Sequence, residues 1–290
     1  MQRFAEYFGT LNQEPVEHGV TTHMRTLGII GGAGWIGRAL VSSILDAGLV
    51  APRSLIVSGR SSPVGNPLSW PNVEYTDDNA SLVNGSDVVI LSVRPQQFSG
   101  VLIDASRTLV ISVMAGVSVQ SIALHTGATR IVRAMPNAAV ELRQSFTPWF
   151  AGPGVQASDK EWVQAAFVCC GSAEEVPSEA QLDYLTGLTG SGPAFIALLA
   201  ESMRSHAAAN GLTPELSLRA VRGLIGGSSR LVAEGNALPA EILGAMTDYQ
   251  GTTAAALKAM TAQGFTTAVH AGLAAAEGLA RAQLVSREKP

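Results

Sequence analysis

The chain has 290 residues, of which 47% are hydrophobic and only 14% charged, with a formal net charge of −4. That is more than one average domain, so two are expected, and so apolar a chain must bury much of itself in a core or a subunit interface. A mildly acidic balance without a basic cluster excludes a nucleic-acid partner, and no apolar run reaches the ~18 residues of a membrane span.

Residues 1–23 lack the apolar core of a signal peptide and read as a mobile or dispensable leader before Met24. The first element is the apolar run Leu27-Gly28-Ile29-Ile30, read as a buried strand. It breaks into Gly32-x-Gly34-x-x-Gly37, and Ile36 to Leu49 continues with helical periodicity. Strand, glycine turn and helix in that order suit a dinucleotide. Gly32 is expected to permit the turn, Gly34 to let backbone N–H groups, with those of Trp35 and Ile36, approach a pyrophosphate, and Gly37 to let the helix pack close to the strand. A glycine-rich turn without a ligand is the plain alternative.

A second strand is expected over Ser54 to Ser58, and the residue at its end selects the nicotinamide cofactor. Here the chain reads Ser58-Gly59-Arg60-Ser61-Ser62, with no acid before Glu74. Arg60 and Ser61 can serve a 2′-phosphate, so NADPH is the expected cofactor and NADH the alternative. A solvated loop arginine would explain Arg60 as well.

Further strands are expected over 73–75, 87–93, 108–113, 130–134 and 145–150, with helical segments at 79–83, 95–103 and 119–125. This alternation predicts a mostly parallel sheet with helices on both faces, a Rossmann-type dinucleotide-binding domain over residues 24–177. Three successive strands end in Val93-Arg94, Ala115-Gly116 and, behind a proline, Asn137, which places these residues on the cofactor rim. Asn137 could hold a nicotinamide carboxamide or an imine substrate; taken alone it is a turn residue.

After about Pro177 strand signals vanish. Helices are expected near 179–186, 191–209, 214–235, 239–246, 252–262 and 265–284, forming an all-α dimerisation and substrate domain over 178–290. Its many alanines bury little apolar area per residue, so packing against a second subunit is expected. Ser191 reads as an N-cap and Pro193 as a first-turn residue. Glu201 lies in an otherwise uncharged stretch and must be paired or face a polar cavity, which makes it a candidate catalytic carboxylate. In Asp248-Tyr249-Gln250-Gly251-Thr252-Thr253, a second glycine turn opens a helix whose free N–H groups and hydroxyls would suit a substrate carboxylate; capping would explain the threonines equally. The five histidines share no motif and read as structural or surface groups. The adjacent Cys169 and Cys170 read as reduced core residues of a cytoplasmic protein, and no metal site is expected.

Together these segments resemble one family, the pyrroline-5-carboxylate reductases, over nearly the whole chain from Met24 to about Arg281. The nucleotide motif, V-R-P, V-M-A-G-V-S, V-R-A-M-P-N, L-T-G-S-G-P-A-F and G-T-T stand in the family's order and approximate spacing. The resemblance implies NADPH-dependent reduction of a cyclic imine, 1-pyrroline-5-carboxylate, to L-proline. It implies a homodimer with interlocked helical domains, open to assembly of further dimers. It also implies that the turn at Asp248, Gly251 and Thr252 binds the substrate carboxylate and that Thr253 contacts the imine nitrogen. Asp248-Tyr249-Gln250 departs from the family's S-P-G, Arg94 stands where lysine is common, and Ala138-Ala139 stand for Thr-Pro. A related reductase acting on a different cyclic imine and a non-enzymatic nucleotide-binding paralogue therefore remain alternatives. A β-hydroxyacid-type dehydrogenase is disfavoured, because residues 187–218 contain no lysine.

Overall fold

The computed structural model describes residues 25–59, 70–235, 237–248 and 250–285. Strand β1 (Leu27–Ile30) leads into α1 (Trp35–Asp46), then β2 (Leu55–Ser58), β3 (Glu74–Thr76), α2 (Asn79–Asn84), β4 (Val88–Leu91) and a 3-10 turn at Pro95–Gly100. β5 (Leu109–Ser112), α3 (Val119–Thr126), β6 (Arg130–Ala134), a 3-10 turn at Ala138–Leu142, β7 (Ser145–Ala151), α4 (Ala157–Val168) and β8 (Gly171–Glu175) follow. The strands form one sheet in the order β3-β2-β1-β4-β5-β6-β7-β8, parallel throughout except between β6 and β7. Ile30 lies beside Ser58 and Leu91, Leu91 beside Ser112, and Ser112 beside Arg133, so five strands end level along one carboxyl edge.

The chemistry of the segments explains these elements. β1, β2, β4 and β5 are buried throughout, as strands of a parallel sheet covered on both faces must be. On one face Leu40, Val41 and Ile44 of α1 join Trp162 and Phe167 of α4 against the sheet; on the other, Leu82, Phe98 and Ile122 do so. Each such side chain contributes about 1.5–3 kcal/mol through burial. Asp78 caps α2 and Ser118 caps α3, their side chains accepting first-turn N–H groups.

Three elements differ from the sequence expectation. The helix expected over 95–103 is a short 3-10 turn, begun by Pro95 and closed at Gly100. Helix α4 was not expected. Nor was β8, whose Gly-Ser-Ala-Glu-Glu has no apolar run and is a partly exposed edge strand made by pairing with β7.

Beyond the sheet come α5 (Glu179–Leu185), a π-turn at Thr186–Gly190, α6 (Gly192–Ala209), α7 (Pro214–Ala233), α8 (Pro239–Thr247), α9 (Thr252–Ala262) and α10 (Phe265–Val285). Ser191 has helical dihedrals and its N–H donates to Thr186 O, so it does not serve as the expected N-cap. Ala194–Gly272 forms one compact unit; the described residues before it, with those from Leu273 onward, form the other. In the first of these only Ser217, Val221, Ala237 and Ile242 are buried among the described residues.

Charge inside the sheet-bearing unit is paired. Arg133 of β6 is 1% exposed and donates to Glu179 at 2.7 Å and Asp183 at 2.9 Å, tying the sheet to α5. Asp159 of α4 is fully buried and accepts from Arg25 at 2.8 Å and Arg130 at 3.0 Å. Burial pushes the Asp159 carboxyl up, but Arg25, the Gln156 N–H and Arg130 outweigh it and hold its pKa below the usual aspartate value.

Replacing Asp159 by Asn leaves two half-buried guanidinium groups uncompensated and is expected to cost about 2–4 kcal/mol at neutral pH. A depressed folded-state pKa contributes stability that is complete above the unfolded value of about 3.9 and is lost as pH falls through the folded value. Urea unfolding of both proteins should show a gap that is constant at neutral pH and narrows only in acid. Equal stability at neutral pH would contradict the assignment.

Candidate active site

The strand order reverses between β1 and β4, and in open α/β sheets the crevice at that point, outside the carboxyl ends, is where ligands bind. The turn after β1 occupies it. Gly31 and Gly32 donate to Ser58 O at 2.9 and 3.1 Å, and Gly34 N–H donates to Gly31 O at 2.9 Å. The turn is made by Gly31 rather than by Gly32 as expected: Gly31 has φ +83°, and a Cβ there would lie 2.5 Å from Ser92 O. At Gly37 a Cβ would lie 2.6 Å from Gly31 O and 2.7 Å from Gly32 Cα, so only glycine lets the first turn of α1 rest on the turn below it.

Gly34 is the N-cap of α1 and no side chain caps the helix, so the N–H groups of Trp35, Ile36 and Gly37 have no intrahelical acceptor. Three open amides at the positive end of a 12-residue helix, with no side chain in front of Gly34, fit a pyrophosphate. Arg60, Ser61 and Ser62, expected to serve the 2′-phosphate, lie outside the described residues, as do residues 1–23 and Tyr249. Ser58 and Gly59 bring the chain to the same edge.

The next three strand ends arrive along this edge. β4 delivers Val93 and the exposed Arg94, which has no ion-pair partner among the described residues. β5 delivers Ala115 and Gly116. β6 delivers Asn137, 9% exposed, whose Oδ1 accepts Ala139 N–H at 2.9 Å and whose own N–H donates to Ser145 Oγ at 3.0 Å. The turn reading of Asn137 is therefore correct as far as it goes. With Oδ1 engaged as a cap, the side-chain NH2 remains as the group that can serve a ligand. The 3-10 turn that Asn137 caps is fastened to α1 at both ends: the Trp35 indole N–H donates to Glu141, and Arg143 pairs with Asp46. Neither contact was visible in the sequence, since each joins residues about a hundred positions apart.

The remaining candidates belong to the Ala194–Gly272 unit. Gly251 is the N-cap of α9 and no side chain caps it, so the Thr252 and Thr253 hydroxyls are not used for capping and both residues are exposed. Gln250 has φ +48°, a left-handed conformation that favours glycine, and its N–H donates to Thr247 O at 3.0 Å. Asp248 ends α8, exposed and without an ion-pair partner among the described residues. Glu201 is exposed and held by Arg204 one turn on, at 2.6 and 2.7 Å. Those hydrogen bonds keep its carboxyl below the ordinary glutamate pKa.

Other groups lie apart from this arrangement. A cleft of about 560 Å³ opens at the opposite edge of the sheet, among Arg25, Asp87, Asp104, Arg107 and Arg130, where cations and carboxylates offset each other. His125 bonds Val101 O at 3.0 Å and meets the Phe98 ring, a structural role. Cys169 and Cys170 are both free, and burial pushes the Cys170 thiol up to about 12. Among the described residues no group of His, Cys, Asp and Glu converges as a metal site would.

Comparison with known proteins accords with this geometry. A family model described as pyrroline-5-carboxylate reductase dimerisation matches residues 179–283, and one described as NADP oxidoreductase, coenzyme F420-dependent, matches residues 26–116. The chain is 34% identical over 230 residues to the pyrroline-5-carboxylate reductase of Methanosarcina acetivorans, covering 77% of this chain and 84% of the relative. The solved pyrroline-5-carboxylate reductase of Coxiella burnetii is similar at 29% identity, with a TM-score of 0.81 over 90% of this chain and 99% of that one. A Plasmodium falciparum pyrroline carboxylate reductase with NADP bound is similar at 25% identity, with a TM-score of 0.79 over 90% of this chain and 100% of that one.

Gly37→Ala tests the anion-binding turn. The added methyl meets backbone on two sides, so α1 must move away from Gly31 and Gly32, and NADPH affinity should fall about tenfold or more. Titration by nucleotide fluorescence, with circular dichroism to show the sheet intact, reads this directly. Unchanged affinity in a folded variant would remove the pyrophosphate from this turn.

Proposed function

Because this chain belongs to the pyrroline-5-carboxylate reductase family, we propose that it reduces 1-pyrroline-5-carboxylate to L-proline with NADPH, the proline-forming step of amino-acid biosynthesis, in the cytoplasm. The observation that carries this reading is that similarity to named relatives runs through both the sheet-bearing and the helical parts of the chain. When bound, NADPH supplies a hydride to the imine carbon.

The residues divide the work. The amides of Trp35, Ile36 and Gly37 hold the pyrophosphate, and Arg60 with Ser61 takes the 2′-phosphate. Val93, Arg94, Ala115, Gly116 and Asn137 border the nicotinamide end, Asn137 offering its side-chain NH2. The open amides of α9, with Gly251 and Thr252, receive the substrate carboxylate, and Thr253 places its hydroxyl beside the imine nitrogen. Their hydroxyls, free of capping duty, support that assignment. A protonated imine is already electrophilic, so the protein has mainly to orient two reactants and needs no strong acid. This suits a chain without a candidate catalytic histidine.

A homodimer is part of the same reading. Ile196, Leu198, Leu224, Val232 and Leu243, all in the Ala194–Gly272 unit, are between 49% and 69% exposed. A helical unit that leaves large apolar side chains in water has a surface made to be covered, and a second copy is the commonest cover. Sedimentation velocity at micromolar concentration should show a dimer or a multiple of it. An active monomer would refute it.

Asp248 favours a second reading, a different cyclic imine. Two like charges ~4 Å apart near a protein surface repel by about 4 kcal/mol, so an Asp248 carboxylate facing the pocket would oppose the substrate carboxylate. Native protein and Asp248→Ser should be compared on 1-pyrroline-5-carboxylate and on unsubstituted 1-pyrroline by NADPH oxidation. High native activity on the carboxylated imine, changed little by the substitution, is expected. Poor native activity that the serine variant raises severalfold would instead assign the pocket to an uncharged or cationic imine. No turnover beside intact NADPH binding would mark a nucleotide-binding paralogue.

A further inference from the structure

We propose that Trp35 is a positioning residue for the reaction: through its indole N–H and Glu141 it sets where Asn137 stands relative to the first turn of α1. The proposal rests on the reading that the first turn of α1 holds the pyrophosphate and Asn137 borders the nicotinamide.

Burial does not account for Trp35, because it is 60% exposed despite being the largest side chain near the turn. Its polar atom has a definite task. The indole N–H donates to Glu141 Oε1, a carboxylate carried by the 3-10 turn Ala138–Leu142. Asn137 is the N-cap of that same turn, with its Oδ1 accepting Ala139 N–H at 2.9 Å, so turn and carboxamide move as one piece. One side of the piece is held by Ser145 at the start of β7, whose Oγ accepts Asn137 N–H at 3.0 Å. The other side is held by α1, through Trp35–Glu141 at the helix start and Asp46–Arg143 at its end.

Trp35 therefore has two jobs at one position. Its backbone N–H belongs to the anion-facing first turn, and its side chain fastens the turn that presents Asn137. An indole is a neutral donor, so it engages the Glu141 carboxylate without setting a further cation beside the phosphate site. Arginine or lysine there would hold Glu141 equally well but would alter the charge that the cofactor meets.

The test compares Trp35→Phe, which keeps a ring and the backbone N–H but loses the donor, with Glu141→Ala and Glu141→Gln, alone and combined with Asn137→Ala. Losing one hydrogen bond that orients a reacting group should lower kcat by about three- to tenfold in Trp35→Phe and Glu141→Ala. The NADPH dissociation constant should stay within about twofold, because α1 still grips the pyrophosphate. The thermal midpoint should not move, and Glu141→Gln, which retains an acceptor, should recover kcat to within about twofold of native. Since the effect runs through Asn137, Trp35→Phe should add nothing in the Asn137→Ala background.

Three results overturn the proposal: native kcat in Trp35→Phe, a parallel fall in stability and NADPH affinity, or the same loss with and without Asn137. A native protein that binds no NADPH overturns the underlying functional reading as well. Native turnover beside silent variants overturns the positioning role alone.

Discussion

Backbone lies against backbone where α1 leaves β1. At Gly37 a single methyl would fall within 2.7 Å of Gly32 Cα and closer still to Gly31 O, and at Gly31 it would meet Ser92 O of the neighbouring connection. This contact decides how near the positive end of α1 comes to the crevice between β1 and β4. It also decides where Trp35 begins, and so where the turn carrying Asn137 can be fastened. The register of five parallel strands then brings every later rim residue to the same edge. The geometry of the candidate cofactor crevice thus depends on steric permission at two glycines more than on any one polar side chain.

The two parts of the chain are stabilised differently. The sheet-bearing unit buries Leu, Ile, Val and aromatic side chains on both faces and neutralises its interior charges through Arg133 with Glu179 and Asp183 and through Asp159 with Arg25 and Arg130. Buried ion pairs of this kind contribute little net energy but are expensive to break, so they hold elements in one arrangement. The Ala194–Gly272 unit has almost no buried side chain of its own among the described residues. Glycines 223, 226, 227 and 244 in its helices face open space. Its local signals are nevertheless sound: Thr213 caps α7, and Pro214 and Pro239 open their helices where a missing N–H costs nothing. Sequence determines these helices, and burial available within the unit does not.

The placement of much of the candidate site was legible because it is built from short-range patterns. The G-x-G-x-x-G turn announces itself through residue types at fixed spacing. Val93-Arg94, Ala115-Gly116 and Asn137 follow from counting strands in an alternating sequence, and the helices of the second part follow from periodicity with proline and glycine at their ends. Even the departure at Asp248-Tyr249-Gln250 was visible; the structure adds that Gln250 adopts a glycine-like conformation.

What the sequence could not determine depends on contacts between distant residues or on backbone angles. Of the adjacent glycines after β1, only the dihedrals select Gly31 as the one that turns. The Glu201–Arg204 pair, by contrast, is an i,i+3 contact of the kind sequence spacing does carry. β8 is polar and becomes a strand only by pairing with β7, and the Trp35–Glu141 link joins residues with five strands between them. The sequence by itself determined the sheet's alternation, the glycine turn after β1 and the helical second part, since local sterics, capping and apolar periodicity act over a few residues. Tertiary structure alone decided which glycine bends, which carboxylates are spoken for and what holds Asn137 in place, because hydrogen bonds between remote segments leave no trace in local order.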